Sequence, residues 1–127
     1  MNIQAPPVIS THDDLIARVA TAYKSGSVAD PRAFAGEVLA AYADFATCPP
    51  IVTILDAARA LYLCGKPVLA IPVAERAEQL AFAMQDQVLL CHALNLIGVC
   101  AADSGNTARS TAALSVALNL ANALGDH

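Results

Sequence analysis

One stretch of this chain occurs twice. Residues 77–87 read Ala-Glu-Gln-Leu-Ala-Phe-Ala-Met-Gln-Asp-Gln, and residues 117–127 read Ala-Leu-Asn-Leu-Ala-Asn-Ala-Leu-Gly-Asp-His. Ala77, Leu80, Ala81, Ala83 and Asp86 recur at one constant offset as Ala117, Leu120, Ala121, Ala123 and Asp126. Gly65 and Gly105 keep the same interval. A fixed period of this size predicts supersecondary units that bury their apolar faces by stacking on one another. Stacked repeats offer extended binding surfaces rather than enclosed catalytic pockets.

The composition says what the units are made of. The 127 residues suit one domain. They are 57% hydrophobic but only 5% aromatic, so small aliphatic residues dominate. Alanine and leucine are strong helix formers, and the chain reads as all-α. Seven basic residues against eleven acidic give a net charge of -4. The basic ones are scattered, with no run to follow a phosphate backbone, which disfavours nucleic acid as a partner. Residues 88–102 are very apolar but are interrupted by His92, Asn95 and Gly98. They also fall short of the roughly 20 residues a bilayer span needs, so a buried helix is expected and no membrane. The first residues lack the charged and apolar regions of a signal peptide. Cys48, Cys64, Cys91 and Cys100 form no CxxC pair. They are expected to be reduced core residues of a cytoplasmic protein, with no metal or cofactor. His92 adjoins Cys91, but adjacent helix positions diverge and do not form a joint site.

Start and stop signals divide the chain into six helices. Residues 1–9, with Pro6-Pro7, read as a flexible leader, and residues 10–127 as one domain. Ser10 or Thr11 caps the first helix, with Asp13 and Asp14 opposing its dipole. Leu15, Ile16, Val19, Ala20 and Tyr23 face inward, and Ser25-Gly26-Ser27 ends it. Asp30-Pro31 pairs an N-cap with a proline at the first helical position. Phe34, Val38, Ala41 or Tyr42, and Phe45 follow as an apolar stripe, before Pro49-Pro50. The third helix runs from about Ile51 to Cys64, with Ile54, Leu55, Ala58, Leu61 and Tyr62 inward and Thr53, Asp56 and Arg59 as a polar stripe. The fourth begins at either Pro67 or Pro72, since proline is tolerated only in a first turn. It reaches about Met84, with Val73, Ala77, Leu80, Ala81 and Met84 inward. The fifth ends near Ala102 before Asp103-Ser104-Gly105-Asn106, and the sixth spans about 107–124. Glycines at 26, 65 and 105 supply the turns. Three helical hairpins result, at about 11–47, 50–85 and 87–125.

Residues 91–124 resemble one tetratricopeptide repeat. Leu94, Ile97 and Gly98 stand where that family has its large, apolar and small signature. Gly105-Asn106 matches its turn, and Ser110, Leu114 and Ala117 match the packing positions of its second helix. Asn122 replaces the usual closing proline. The length is similar to that of the longer variant of this repeat in bacterial signalling proteins. The second hairpin fits through Ala57-Ala58, Gly65, Ala70 and Ala77; the first is a repeat mainly by spacing. The resemblance implies a short right-handed α-solenoid of three stacked antiparallel hairpins.

It also implies a concave groove lined by the first helix of each repeat, for a peptide or helix of a protein partner. Its residues would be His92, Asn95, Val99 and Asp103 from the fifth helix and Val52, Leu55, Arg59 and Tyr62 from the third. Asp13, Ile16, Ala20 and Tyr23 would come from the first. The stripe at 92, 95 and 103 is either a groove or a solvated helix side. Val99 stands where carboxylate-gripping relatives have asparagine, so an apolar or mixed groove is expected. Phe82 lies among Glu78, Gln79 and Asp86, either covered by a neighbour or exposed as an interface residue. Val116 and Leu118 on the very apolar last helix are further interface candidates. A terminal repeat normally carries a polar outer face. Either more chain follows, or this helix pairs with another copy.

No phosphate loop, nucleophile elbow or metalloprotease motif is present, so no enzyme and no catalytic residue is expected. The leading expectation is a non-catalytic interaction module, the N-terminal regulatory or sensory part of a bacterial signalling protein. The alternative is a self-assembling dimerisation module for attached output domains such as a diguanylate cyclase or a transcriptional regulator. A small-ligand sensor ranks third.

Overall fold

A computed structural model describes residues 11–125, with six helices and no strand among them. The expected leader, residues 1–9, and Ser10, Asp126 and His127 lie outside the described residues. The helices are α1 (Thr11–Ser25), α2 (Pro31–Ala41), α3 (Ile51–Leu63), α4 (Pro67–Ala83), α5 (Gln87–Asp103) and α6 (Thr107–Gly125). No helix among the described residues is long and apolar enough to cross a membrane.

The turns explain the helix ends. Gly26, Gly65 and Gly105 all have positive φ, at 65°, 83° and 83°. After α3, α4 and α5 the chain makes one three-residue connection three times. In each, the amide of its last residue reaches back to a carbonyl five residues earlier: Lys66 to Leu61 (2.9 Å), Asp86 to Ala81 (2.9 Å) and Asn106 to Ala101 (2.8 Å). This bond closes orphan carbonyls at the helix end and needs a left-handed residue in the turn. Glycine supplies it twice. Between α4 and α5 the residue is Gln85, at φ 57°, which is costly for a side chain with a Cβ.

The next helix starts on a cap. The Asp30, Asp86 and Asn106 side chains accept from the amides of Ala33, Leu89 and Arg109. α4 starts at Pro67 and carries Pro72 in its interior. Pro72 is exposed, so the missing amide and the unpaired carbonyl face water.

Consecutive helices from α3 to α6 pack along one another, and α5 also touches α3. The core is built mainly from alanine with a few larger residues, Ile54, Leu55, Leu61, Val73, Leu80 and Ile97, all fully buried. Small side chains let the backbones approach. Gly98 marks the limit of this approach: a Cβ there would lie 2.5 Å from Cγ of Leu114. α1 packs against α3, and α2 against α3 and α4.

The start of the chain departs from the expected closed pair. α1 and α2 make almost no close approach to each other. The buried face of α1, Leu15, Val19 and Ala22, is spent on the body of the molecule. A cleft of about 460 Å³ separates the two helices, floored by Ala22, Val28 and Phe34. Arg18 bridges its mouth, pairing with Asp14 on its own helix and with Glu37 across the gap. That guanidinium holds the Glu37 carboxyl below its ordinary range. His12 donates to the carbonyl of Thr47 at 2.5 Å, tying the first turn of α1 to the loop after α2.

Five expected positions differ. Ala20 and Tyr23 are exposed, and Ala22 takes the inward place. Phe45 lies beyond the end of α2 and is exposed. Met84 is exposed because the helix stops at Ala83 and the turn carries it away from Leu80 and Ala81. Thr53, expected in a polar stripe, is buried. Its hydroxyl meets the phenol of Tyr42, which in turn donates to the carbonyl of Pro50 at 2.7 Å. Burial pushes the Tyr42 phenol well above its ordinary pKa.

Candidate functional site

The expected groove residues divide between two surfaces. The first crosses α1, α3 and α5. Arg59 donates to the carboxylate of Asp56 at 2.9 Å, and its guanidinium carbon lies 5.9 Å from the centre of the Tyr23 ring. A cation over an aromatic face at this distance is stabilised by about 0.5–1 kcal/mol at an exposed site. One turn further along α3, the Tyr62 phenol lies beside the Asp103 carboxylate of α5, which raises the phenol pKa. Val99 is half-buried one turn before Asp103. The row therefore joins three helices that are not consecutive in sequence, through two side-chain contacts that cross between helices.

This row is aromatic and charged, with both signs present. Tyrosine and arginine combine large contact area with directional polar groups, which is why they anchor many protein interfaces. Asp56 belongs to the row although only its stripe was evident from spacing. Leu55 does not belong: it is 1% exposed and sits in the core, where it offers no surface. Val52, one turn before Asp56, is exposed.

His92 and Asn95 lie elsewhere. Both are exposed, and they border a shallow groove of about 290 Å³ between α5 and α6. Cys91 completes its α5 side. Leu114, Ala117, Leu118 and Ala121 form the α6 side. Cys91 Sγ is 3.3 Å from the carbonyl of Ala117, which fixes the spacing of the two helices there. Of the α6 half of this groove only Leu118 is an interface candidate from the sequence; Leu114 and Ala117 read as packing positions, and Ala121 is not singled out as a site residue. A position-by-position comparison at the repeat interval would have found the rest, because the counterparts in the preceding copy include Ala74, Ala77 and Ala81.

The three interface candidates are all on the surface. Phe82 is 73% exposed, Leu118 60% and Val116 48%. Phe82, Met84 and Val88 flank the α4–α5 turn as exposed large apolar residues. Of the four free cysteines, Cys100 is buried and its thiol is pushed up to about 11 by desolvation; the others are half-buried. Among the described residues, no three His, Cys, Asp or Glu side chains are grouped to hold a metal ion. No protein-family model, curated protein or solved structure matches the chain.

Proposed function

We propose that this chain is a non-catalytic protein–protein interaction module with tetratricopeptide-like architecture. In this reading the hairpins α3–α4 and α5–α6, preceded by the splayed pair α1–α2, form a short right-handed α-solenoid. Its inner helices, α1, α3 and α5, present a shallow groove to a peptide or helix of a partner protein. The single observation that carries the reading is the row Tyr23, Arg59, Tyr62 and Asp103, held across three helices by side-chain contacts. A groove whose side chains are already paired and oriented loses little ordering entropy on binding. The regulatory role in a bacterial signalling protein and the cytoplasmic setting follow from the resemblance at residues 91–124.

A variant carrying Arg59→Ala and Tyr62→Ala tests the groove. Neither residue belongs to the buried core, so helicity and melting temperature should stay near those of the parent. Affinity capture with the parent chain should recover a partner that the variant loses. Truncating one such anchor typically costs about 2 kcal/mol, or roughly 30-fold in affinity. Equal recovery by both forms refutes the groove.

A further inference from the structure

The repeat interval links two faces of the molecule that differ in one respect. α5 packs over both α3 and α4. In that region Ile51, Leu55, Ala74, Ala77 and Ala81 are all 5% exposed or less. Their counterparts one repeat later are Cys91, Asn95, Leu114, Ala117 and Ala121. These residues line the groove between α5 and α6, and no helix among the described residues covers it. The groove is thus the counterpart of a surface the fold already uses to seat a helix.

Its chemistry has also moved in an apolar direction. Position 78 is glutamate, and its counterpart is Leu118, which is largely exposed. Average composition would place about five charged residues in a helix of this length. α6 has one, Arg109, in its first turn and paired with Glu75 at 2.5 Å. The rest of the helix carries no ionisable side chain to keep it in water.

We propose that the open face of α5 and α6 binds the same face of a second copy of this chain, forming a two-fold symmetric dimer. This surface is separate from the row on α1, α3 and α5. Two features select the occupant. In a two-fold contact each residue meets the same surface on its partner. The polar groups here, the Asn95 amide and the His92 imidazole, each hold both a donor and an acceptor when neutral. They can therefore pair with one another across the contact, or with their own copies on the axis, and no Asp, Glu, Lys or Arg side chain of the groove confronts its like. Head-to-tail stacking would instead lay α1 of the next copy on this groove. The exposed side of α1 carries Asp13 and Lys24, and the groove has no charge to pair with them. Burying unpaired charges is strongly unfavourable.

The size sets the class of the interface, that of weak and transient contacts. With a rise of about 1.5 Å per residue and a width of about 10 Å, helices of this length present roughly 500 Å² per protomer. Twice that area is at the low end for specific interfaces. A dimer with a dissociation constant of order tens of micromolar is expected.

Sedimentation velocity on the full chain, from about 1 to about 200 µM, reads this directly. The parent should move from monomer to dimer across the range. Leu118→Glu should remain monomeric with an unchanged circular dichroism spectrum, since the site is exposed and its counterpart, Glu78, already carries glutamate on a helix. Val68→Glu, in the first turn of α4, should dimerise like the parent. Should Leu118→Glu lose helicity, Asn95→Asp carries the test by placing an unpaired carboxylate in each half of an interface that has no lysine or arginine to meet it. A parent that stays monomeric throughout overturns the proposal, as does a dimer that Leu118→Glu and Asn95→Asp both leave intact. Growth beyond dimer would show head-to-tail assembly and overturn it equally.

Discussion

Replacing Gly98 by alanine sets two effects of opposite sign against each other. Gly98 lies in the middle of α5 and is buried against α6. On helix propensity alone, alanine should stabilise this position by about 1 kcal/mol. The added Cβ, however, would lie 2.5 Å from Cγ and 2.6 Å from Cδ2 of Leu114. Cγ is the branch point of that side chain, so turning the methyl groups does not relieve the contact. Either Leu114 leaves its rotamer or α6 moves away from α5. Ala113 and Ala117, buried on the same helix, resist the second route. Overpacking of this kind costs about 1–3 kcal/mol. The net expectation is a loss of about 1 kcal/mol, or about 4 °C in melting temperature for a chain of this size.

The decisive measurement is a double-mutant cycle by urea denaturation. Leu114→Ala alone should cost about 1–2 kcal/mol, since Leu114 is only half-buried and fully buried leucines cost more. In that background Gly98→Ala meets no branched side chain, and propensity alone should act. It should then stabilise by about 1 kcal/mol, giving a coupling of about 2 kcal/mol between the two sites. Refutation would come from Gly98→Ala stabilising the parent chain. That result would mean α5 and α6 separate without cost, and that their spacing is not set by glycine.

Gln85→Gly should stabilise the fold by about 0.5–1 kcal/mol in chemical denaturation, because Gln85 occupies a left-handed conformation that costs a non-glycine residue about 1 kcal/mol. Gly65→Ala should lose a similar amount; nothing lies near a Cβ there, so the loss reads backbone strain alone. Arg76 reaches the carbonyls of Tyr42 and Ala43 at the end of α2, at 2.9–3.4 Å. Arg76→Ala should cost about 1–2 kcal/mol in melting experiments, and Arg76→Lys should recover little because an ammonium cannot reproduce the fork. The folded chain holds the Cys100 proton up to about 11, against an ordinary value of 9.0. Stability from this group is therefore full below about pH 9 and falls as pH rises toward about 11. Denaturation midpoints measured across that window should decline less steeply in Cys100→Ala.

Much of the helical order is legible because it is written in local chemistry. Asp30-Pro31 starts a helix whatever surrounds it, and glycines at 26, 65 and 105 end helices through a backbone region that other residues avoid. The turn at Gln85 carries no such mark. Its backbone matches the two glycine turns, yet its only local clue is Asp86 as the next cap. Burial was harder to read where a polar group found a private partner. Thr53 sits on what spacing makes a wet stripe, but its hydroxyl meets Tyr42, which comes from the end of a different helix. Periodicity ranks the faces of one helix and says nothing of what another element brings to them. The site shows the same limit. Arg59 and Tyr62 share a helix, so their alignment follows from spacing. The Tyr23 ring and the Asp103 carboxylate that complete the row arrive from α1 and α5, which only the fold brings beside them.

The two ends of the chain are built by different rules, and the difference decides where contacts remain unmade. From α3 onward, left-handed residues stand at positions 65, 85 and 105. The turn thus recurs at even intervals. At the sequence interval of the repeat, the residues lining the α5–α6 groove correspond to residues buried between α3, α4 and α5. α1 and α2 break the rule. The segment joining them, residues 26–30, is longer than the three-residue connections that follow, and α2 has only 11 residues against 17 for α4. A longer connection and a shorter partner leave α1 free to settle on α3, and a cleft opens where a packed pair would stand. The cleft is walled partly by charge, Arg18 with Glu37, and is stable in water as it is. The α5–α6 face has no charge, and its apolar residues gain only when something covers them. Of the two openings in this fold, the α1–α2 cleft is bridged by an ion pair and the α5–α6 groove is lined without Asp, Glu, Lys or Arg.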